Sequence, residues 1–187
     1  WGESLKILYF NYPYVYFFIS LLCIPVFLGM WYFLGLLTIV NHKINTIIKT
    51  KHIGNRIIQY FDFIYNNKSI RCVNIHLQPG NKIKEKKKRL YSIKKIIKLC
   101  KNHKNVILVG DFNDTQTSKM YKYMKKKGYK NCVFDLLGKK INTFPCNMPN
   151  KCIDFIMIKG DISASNAFAF GNSDASDHKG IKVTLDI

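Results

Sequence analysis

The spacing of apolar and polar positions after residue 52 predicts an alternating α/β domain. Residues 56–65 and 70–77 are rich in β-branched and aromatic side chains, and the turn-forming sequence Asn-Asn-Lys separates them. These two runs predict a β-hairpin. Residues 85–103 instead carry apolar side chains at helical spacing, with lysines on the opposite face. That pattern predicts an amphipathic helix.

Four further segments extend this pattern to the end of the chain. Residues 106–109 are an apolar run that ends at Gly110, and residues 117–127 indicate a helix that ends at Gly128. Strands are also predicted at 153–158 and at 181–187, where apolar and polar residues alternate. A chain of 187 residues is long enough for one domain with a real core. We therefore expect a single domain over residues 41–187.

The N-terminal segment 1–40 has two interpretations. Residues 12–40 contain no charged side chain, and this run is longer than the ~20 residues that a membrane-spanning helix needs. The basic residues that follow would place its C-terminal side on the cytoplasmic face. Prolines and glycines interrupt the run, however, and a buried strand such as 34–40 is also continuously apolar. The segment is predicted to be either a membrane span or the first strands of the domain.

The net charge of the chain indicates which kinds of partner it could bind. The formal net charge is +19, from 30 basic and 11 acidic residues, which favours partners that carry phosphate, either nucleic acid or an anionic membrane. A lysine-rich A+T-biased coding sequence would give the same composition without selection for binding.

The six cysteines lack metal-finger spacing, so we expect reduced thiols in an intracellular protein that is soluble or membrane-anchored. No protein partner is inferred. Because the chain begins with Trp1, we expect it to be a piece of a longer protein.

Three aspartates lie at the ends or inside apolar strands. Asp111 follows the run 106–109, Asp154 lies inside another apolar run, and Asp177 precedes the closing strand. A buried carboxylate is costly unless it is paired or bound to a metal. One such residue would be a turn or cap. Three of them, accompanied by two imidazoles and an amide, indicate a site instead; the accompanying residues are His76, Asn113 and His178.

This set of groups suits hydrolysis of a phosphoester. The reaction needs a metal that neutralises charge on the phosphoryl oxygens, a base for the attacking water, and donors to the transition state. Asp111 and Asn113 are two residues apart at a strand end, so period-two geometry would place both side chains on one side of the chain.

Four segments together resemble the endonuclease/exonuclease/phosphatase superfamily, which has the deoxyribonuclease-like fold. In chain order they are Cys-Val-Asn-Ile-His-Leu at 72–77, Val-Gly-Asp-Phe-Asn at 109–113, Cys-Ile-Asp-Phe-Ile at 152–156 and Ser-Asp-His at 176–178. Each is weak alone, but the ordered set is specific. The resemblance implies a four-layer α/β/β/α sandwich of two packed sheets with a truncated N-terminal half. It also implies a magnesium-dependent hydrolase, with manganese as an alternative metal.

The same resemblance implies roles for individual residues. His76 would contact the phosphate, Asp111 would orient or deprotonate water, and Asn113 would steady the transition-state oxygens. Asp154 would hold His178 in its working tautomer, and His178 would act as a base or as a cation on the phosphoryl group. Two residues would help to bind the metal, namely Asp177 and, in the segment 5–11 that resembles the family's first strand, Asn11.

One departure from the family affects the expected activity. The family's Gln-Glu segment, which carries a principal metal ligand, is not in this sequence, where the only glutamates are Glu3 and Glu85. Gly-Leu-Leu-Thr at 35–38 and His-Leu-Gln at 76–78 are most similar to the sphingomyelin phosphodiesterase branch, so the resemblance favours a phospholipid substrate. A nuclease and a catalytically impaired, membrane-tethered phosphate-binding domain are the alternatives.

Overall fold

The computed structural model describes residues 5–9, 46–174 and 176–187, and the described residues form nine strands. In chain order the strands are β1 Leu5–Tyr9, β2 Lys49–Ile53, β3 Arg56–Tyr65, β4 Lys68–His76, β5 Asn105–Asp111, β6 Lys130–Asn131, β7 Asp154–Lys159, β8 Ser163–Phe170 and β9 Gly180–Asp186. The α-helices are α1 Ile83–Leu99 and α2 Lys119–Lys126, and a π-helical turn spans Cys132–Leu136.

The strands form two sheets. The larger has the order β2-β3-β4-β5-β7-β6, and the smaller has the order β1-β9-β8. Among the described pairs, β4 and β5 run parallel and the others run antiparallel. Helix α1 connects β4 to β5, as a parallel pair requires. The first strand, expected at 5–11, is confirmed over Leu5–Tyr9.

Alternate side chains of the central strands belong to two separate cores. On β5, Val106 and Leu108 pack in the core beneath the helices, whereas Ile107 and Val109 pack in the core shared with β9. A strand buried on both faces has a continuously apolar sequence, which explains the run 106–109. The result is the predicted α/β sandwich of two packed sheets, with three layers, α/β/β, formed by the described residues.

Both predicted helices are present, with shifted ends. Helix α1 buries Ile93 and Ile96 and ends at Leu99, just before the polar loop 101–105 that was expected to end it. Helix α2 begins after Ser118, whose hydroxyl accepts a hydrogen bond from the backbone N–H of Tyr121 at 3.1 Å. This N-cap satisfies one of the free amides of the first turn.

The predicted hairpin is confirmed, and three further strands, the two-residue β6 among them, were not predicted. Strands β3 and β4 pair from Ile58–Ile75 to Tyr65–Lys68, and the turn residues Asn66 and Asn67 have positive φ, as a tight hairpin turn requires. Strand β8 was missed because it carries polar residues and buries only Ala167 fully. Strand β2 was missed because four of its five residues are exposed.

The N-terminal segment lies largely outside the described residues. This holds for the apolar run 12–40, for the strand-like segment 35–44 and for Asn11. Neither α1 nor α2 has the length and hydropathy of a membrane span, and no other helix of the described residues has them. The domain boundary at residue 40 therefore stays a prediction.

A close approach between two backbones fixes the end of β5. Gly110 pairs with Ile75 of β4 and has a φ of +137°, and a Cβ at this position would lie 1.9 Å from the Ile75 carbonyl oxygen. No side chain fits there without moving one strand away from the other. Gly110 therefore sets the position of the next residue, Asp111.

We expect Gly110→Ala to lower the free energy of unfolding by about 3 kcal/mol or more, since it adds a backbone clash to an unfavourable φ. The matched control is Gly138→Ala, where φ is also positive, at +62°, but no atom lies within 4 Å of the added Cβ. That variant should cost only about 1–2 kcal/mol. Urea unfolding followed by circular dichroism measures both, and equal losses would contradict the clash.

Candidate active site

The ends of three neighbouring strands bring the predicted site residues into one row. In the register of the large sheet, His76 pairs with Asp111, and Asp111 pairs with Asp154. All three side chains start on the face that packs against the small sheet, because they alternate with residues of the helix-side core. His76 Nε2 lies 3.4 Å from Asp111 Oδ2. Three residues far apart in sequence thus form one side of a site.

Asn113 holds the Asp111 carboxylate. Its side-chain amide donates to Asp111 Oδ2 at 2.7 Å and to the backbone oxygen of Leu77 at 3.1 Å, and its backbone N–H donates to Asp111 Oδ1 at 2.7 Å. The two side chains meet, as predicted, but not through extended geometry, because Asn113 has a left-handed φ of +51°. Both amide hydrogens of Asn113 are engaged here. Donation to a transition-state oxygen would require one of these bonds to break.

Asp154 and His178 form a buried pair. Asp154 Oδ2 lies 2.8 Å from His178 Nδ1, and both side chains are buried. The Ser176 hydroxyl accepts a hydrogen bond from the His178 backbone N–H at 3.1 Å, which fixes the backbone at this turn. With Nδ1 bound to the carboxylate, Nε2 of the imidazole is left for a substrate or a metal.

Two buried carboxylates, those of Asp111 and Asp154, lie next to each other. Burial raises the pKa of Asp111 to about 7, and the charge of Asp154 adds to the rise, whereas His178, the Asn113 backbone amide and Arg56 oppose it. A carboxylate with this pKa can exchange a proton near neutral pH. Such perturbed groups are concentrated at functional sites.

The pKa values of the two histidines shift in opposite directions. Burial lowers the pKa of His76 to about 4, with Arg56 and His178 adding to the fall, so His76 is neutral at pH 7. Burial would also lower the pKa of His178, but the hydrogen bond and charge of Asp154, together with Asp111, raise it above its usual value. His76 therefore provides a neutral imidazole, whereas the environment of His178 favours its protonated form more than water does.

Of the two residues predicted to bind the metal, the structure describes Asp177 but not Asn11. Asp177 is exposed, and its charge acts on both His76 and His178, so it lies at the rim of the same site. Its backbone oxygen accepts a hydrogen bond from the Cys146 N–H at 2.7 Å. Asn11 lies outside the described residues.

A divalent cation fits the buried part of this site. One ligand atom from each of Asp111, Asp154 and His178 lies within 4.8 Å of the others. Asp154 Oδ1 is buried and accepts no hydrogen bond from the described part of the chain. A cation between the carboxylates would satisfy this oxygen and relieve their repulsion.

Two residues near the site were missed at the level of sequence. The ring of Phe144 packs on the His178 imidazole, with 4.8 Å between centroids. Arg56 begins β3 at the same edge of the sheet as the end of β4, and its charge acts on His76 and Asp111. Arg56 is one of only three arginines in a lysine-rich chain, and that rarity was the available signal.

We expect Asp154→Asn to lower the pKa of His178 by about 1 or more, because it removes the charge that stabilises the imidazolium. NMR titration of the imidazole in EDTA-treated protein measures this pKa. The matched control is Asp62→Asn, which removes a carboxylate that lies 3.5 Å from His103 instead. An unchanged His178 pKa in Asp154→Asn would show that the pair does not set its charge.

Comparison with known proteins agrees with the fold. Humanized D. rerio TDP2 matches with a TM-score of 0.61 and 16% identity, over 77% of this chain and 68% of that chain. An endonuclease/exonuclease/phosphatase family protein from Leptotrichia buccalis C-1013-b matches with a TM-score of 0.60 and 19% identity, over 77% and 61%. The Bacteroides thetaiotaomicron mannosyl-6-phosphatase Bt3783 matches with a TM-score of 0.52 and 22% identity, over 71% and 57%.

The chain thus spans about two thirds or less of the length of these structures. No curated protein matches it. The sequence profile of the Endonuclease/Exonuclease/phosphatase family matches residues 8–178, in agreement with the four motifs. Because this match covers most of the 187 residues, the chain belongs to the Endonuclease/Exonuclease/phosphatase family.

Proposed function

We propose that the chain is a magnesium-dependent phosphoester hydrolase. The observation that carries this proposal is the row of His76, Asp111 and Asp154 at one sheet edge, completed by Asn113 and His178. This arrangement combines a base, an oriented imidazolium and a carboxylate pair that suits a cation. Those are the groups that attack of water on a phosphoryl centre requires.

Asp111 is the proposed base for the attacking water. Its pKa of about 7 in the metal-free protein suits proton transfer near neutral pH. Asn113 positions this carboxylate by donating to both of its oxygens, which restricts its rotation. His76, neutral and 3.4 Å from Asp111, can donate a hydrogen bond to a phosphoryl oxygen without adding charge.

His178 is the proposed cation at the phosphoryl group. Asp154 fixes the orientation of its ring through the 2.8 Å contact at Nδ1 and favours its protonated form. An imidazolium in a buried site stabilises negative charge that develops on phosphoryl or leaving-group oxygens, and it can also give up a proton there.

The residues proposed to hold the metal are Asp154, through its unbonded Oδ1, and Asp177, with Asn11 as a further candidate. Carboxylate oxygens are the ligands that magnesium and manganese prefer. When bound, a divalent ion would neutralise charge on the phosphate and acidify a bound water. The absence of the family's Gln-Glu segment from the sequence makes these aspartates the main carboxylates available.

For the substrate we propose a phosphodiester of a phospholipid such as sphingomyelin. The support is the resemblance of His76-Leu77-Gln78 and of Gly-Leu-Leu-Thr at 35–38 to the sphingomyelin phosphodiesterase branch. The apolar run 12–40 would suit an enzyme that works at a membrane, whether anchored or peripheral.

A nucleic acid is the second candidate substrate, favoured by the charge of the helix layer. The outer faces of α1 and α2 expose lysines and no aspartate. Exposed lysines of these helices are Lys84, Lys86, Lys87, Lys94, Lys95, Lys98, Lys119, Lys122, Lys125 and Lys126. A surface of this kind attracts a phosphate backbone, with an affinity that falls steeply with salt.

A domain that binds phosphate groups without turnover is the third candidate, supported by the missing glutamate.

The test compares hydrolysis of sphingomyelin vesicles and of supercoiled plasmid in the presence of Mg²⁺. We expect cleavage of one substrate, stopped by EDTA, and a roughly 10²- to 10⁴-fold loss of kcat in His178→Ala and in Asp111→Ala, the range typical of acid–base groups. The matched control is His103→Ala, which removes a half-buried histidine at the opposite end of the sheet.

The outcomes separate the three readings. Cleavage of sphingomyelin alone supports the phospholipid substrate, and cleavage of plasmid alone supports the nuclease. If neither substrate is cleaved although the chain is folded, the binding domain without turnover is favoured. Full activity in His178→Ala would contradict the proposed mechanism.

A further inference from the structure

Among the residues that the structure describes, Arg89 is the most deeply buried charged side chain outside the site. It lies on α1, is only 1% exposed, and its guanidinium makes three hydrogen bonds. Nη1 donates to the backbone oxygens of Gln78 at 2.8 Å and Gly80 at 2.7 Å, and Nε donates to Asp114 Oδ2 at 3.0 Å. A buried cation is tolerated only with partners of this quality.

The partners of Arg89 belong to the two loops that leave the site. Gln78 and Gly80 lie two and four residues after His76, and Asp114 directly follows Asn113. One guanidinium therefore bonds to the segment after β4 and to the segment after β5 at once. The helix that carries it is itself anchored in the core through Ile93 and Ile96.

Direct bonds also join these two loops. The Leu77 N–H donates to the Asp111 backbone oxygen at 2.9 Å, and the Leu77 oxygen accepts the Asn113 amide at 3.1 Å. In the sequence, Leu77 lies between His76 and Gln78, and Asn113 lies between Asp111 and Asp114. A shift of either loop would therefore change the bonds that orient the Asp111 carboxylate.

We propose that Arg89 is a positioning residue that sets the geometry of Asp111 and His76 by holding both loops against α1. Its effect on turnover rests on the proposed phosphoester hydrolysis, but its effect on loop geometry does not. Arg89 touches neither the site carboxylates nor the histidines in the described hydrogen bonds, so it acts through Asp114, Asn113 and the 78–80 backbone.

Only arginine has the shape for this task. The planar guanidinium presents donors in a fixed fork, so a single side chain reaches two carbonyls and a carboxylate in different directions. A lysine ammonium in the same place is a point charge on a flexible stem. It could keep the ion pair with Asp114 but would not hold Gln78 and Gly80 in the same geometry.

The test uses Arg89→Met with Arg71→Met as the matched control. Arg71 is less deeply buried than Arg89 but also makes three hydrogen bonds, two to Asp62 at 2.6 and 2.7 Å and one to the Leu99 oxygen at 2.9 Å. It ties the sheet to the far end of α1. Both variants should lose stability, and urea unfolding measures how much.

Two readouts distinguish positioning from general stability. Hydrogen exchange of the Asn113 and Leu77 amides should become roughly tenfold or more faster in Arg89→Met, after correction for global stability, and stay unchanged in Arg71→Met. On whichever phosphoester the wild-type chain cleaves, kcat should fall about 10- to 100-fold with KM little changed, because a small misplacement of a catalytic group affects the reacting geometry. Arg71→Met should retain wild-type kcat.

Smaller changes keep the test decisive if Arg89→Met does not fold. Arg89→Lys should fold and show faster exchange at Leu77 and Asn113 with a reduced kcat. Added guanidinium should restore slow exchange at these two amides in Arg89→Ala, whereas exchange there in Arg71→Ala should be as slow as in the wild type with or without it. Unchanged exchange at both amides in Arg89→Lys and Arg89→Met overturns the proposal. If the wild-type chain cleaves nothing, the proposed function fails and the exchange measurements still decide this one.

Discussion

The site depends on one constraint, the register of three strand ends. His76, Asp111 and Asp154 meet only because β4 and β7 pair with β5 at matching positions, and Gly110 lets β4 and β5 approach closely at that point. Side chains alternate between the faces of a sheet, so a shift of the strand register by one residue would point a site residue toward the helix-side core. The core residues of β5 prevent the slip, because they fit only one face each.

The same register places two buried carboxylates side by side, which is unfavourable in itself. The structure offsets this repulsion with the His178 imidazole at Asp154 and the Asn113 donors at Asp111. The offset is partial, since the pKa of Asp111 stays raised, at about 7. An arrangement that leaves a carboxylate in this condition is poor for stability, and a bound cation or a transferred proton resolves it.

The positions of strands and of the residues at their ends could be predicted from the sequence, because they follow from strand periodicity. Features that depend on tertiary packing could not. Asp111 and Asp154 could be found because apolar runs mark where their strands lie and end. The left-handed turn at Asn113 could not be found, because no pattern of polarity encodes it, and the amide therefore faces Asp111 instead of open space. Arg89 lay on the apolar face of the predicted helix, four residues before Ile93, and that position was a readable signal of burial.

The three arginines differ from the lysines in what they do. Arg71 connects β4 to Asp62 of β3 and to the Leu99 oxygen at the end of α1, and Arg89 connects α1 to the loops after β4 and β5. Each makes three hydrogen bonds that a lysine could not make together. Arg56 acts on the site histidine and carboxylate. The helix lysines are largely exposed, so the surface charge can vary in composition without altering the fold. The high net charge is thus a property of the surface, whereas the site geometry depends on a few buried charged groups.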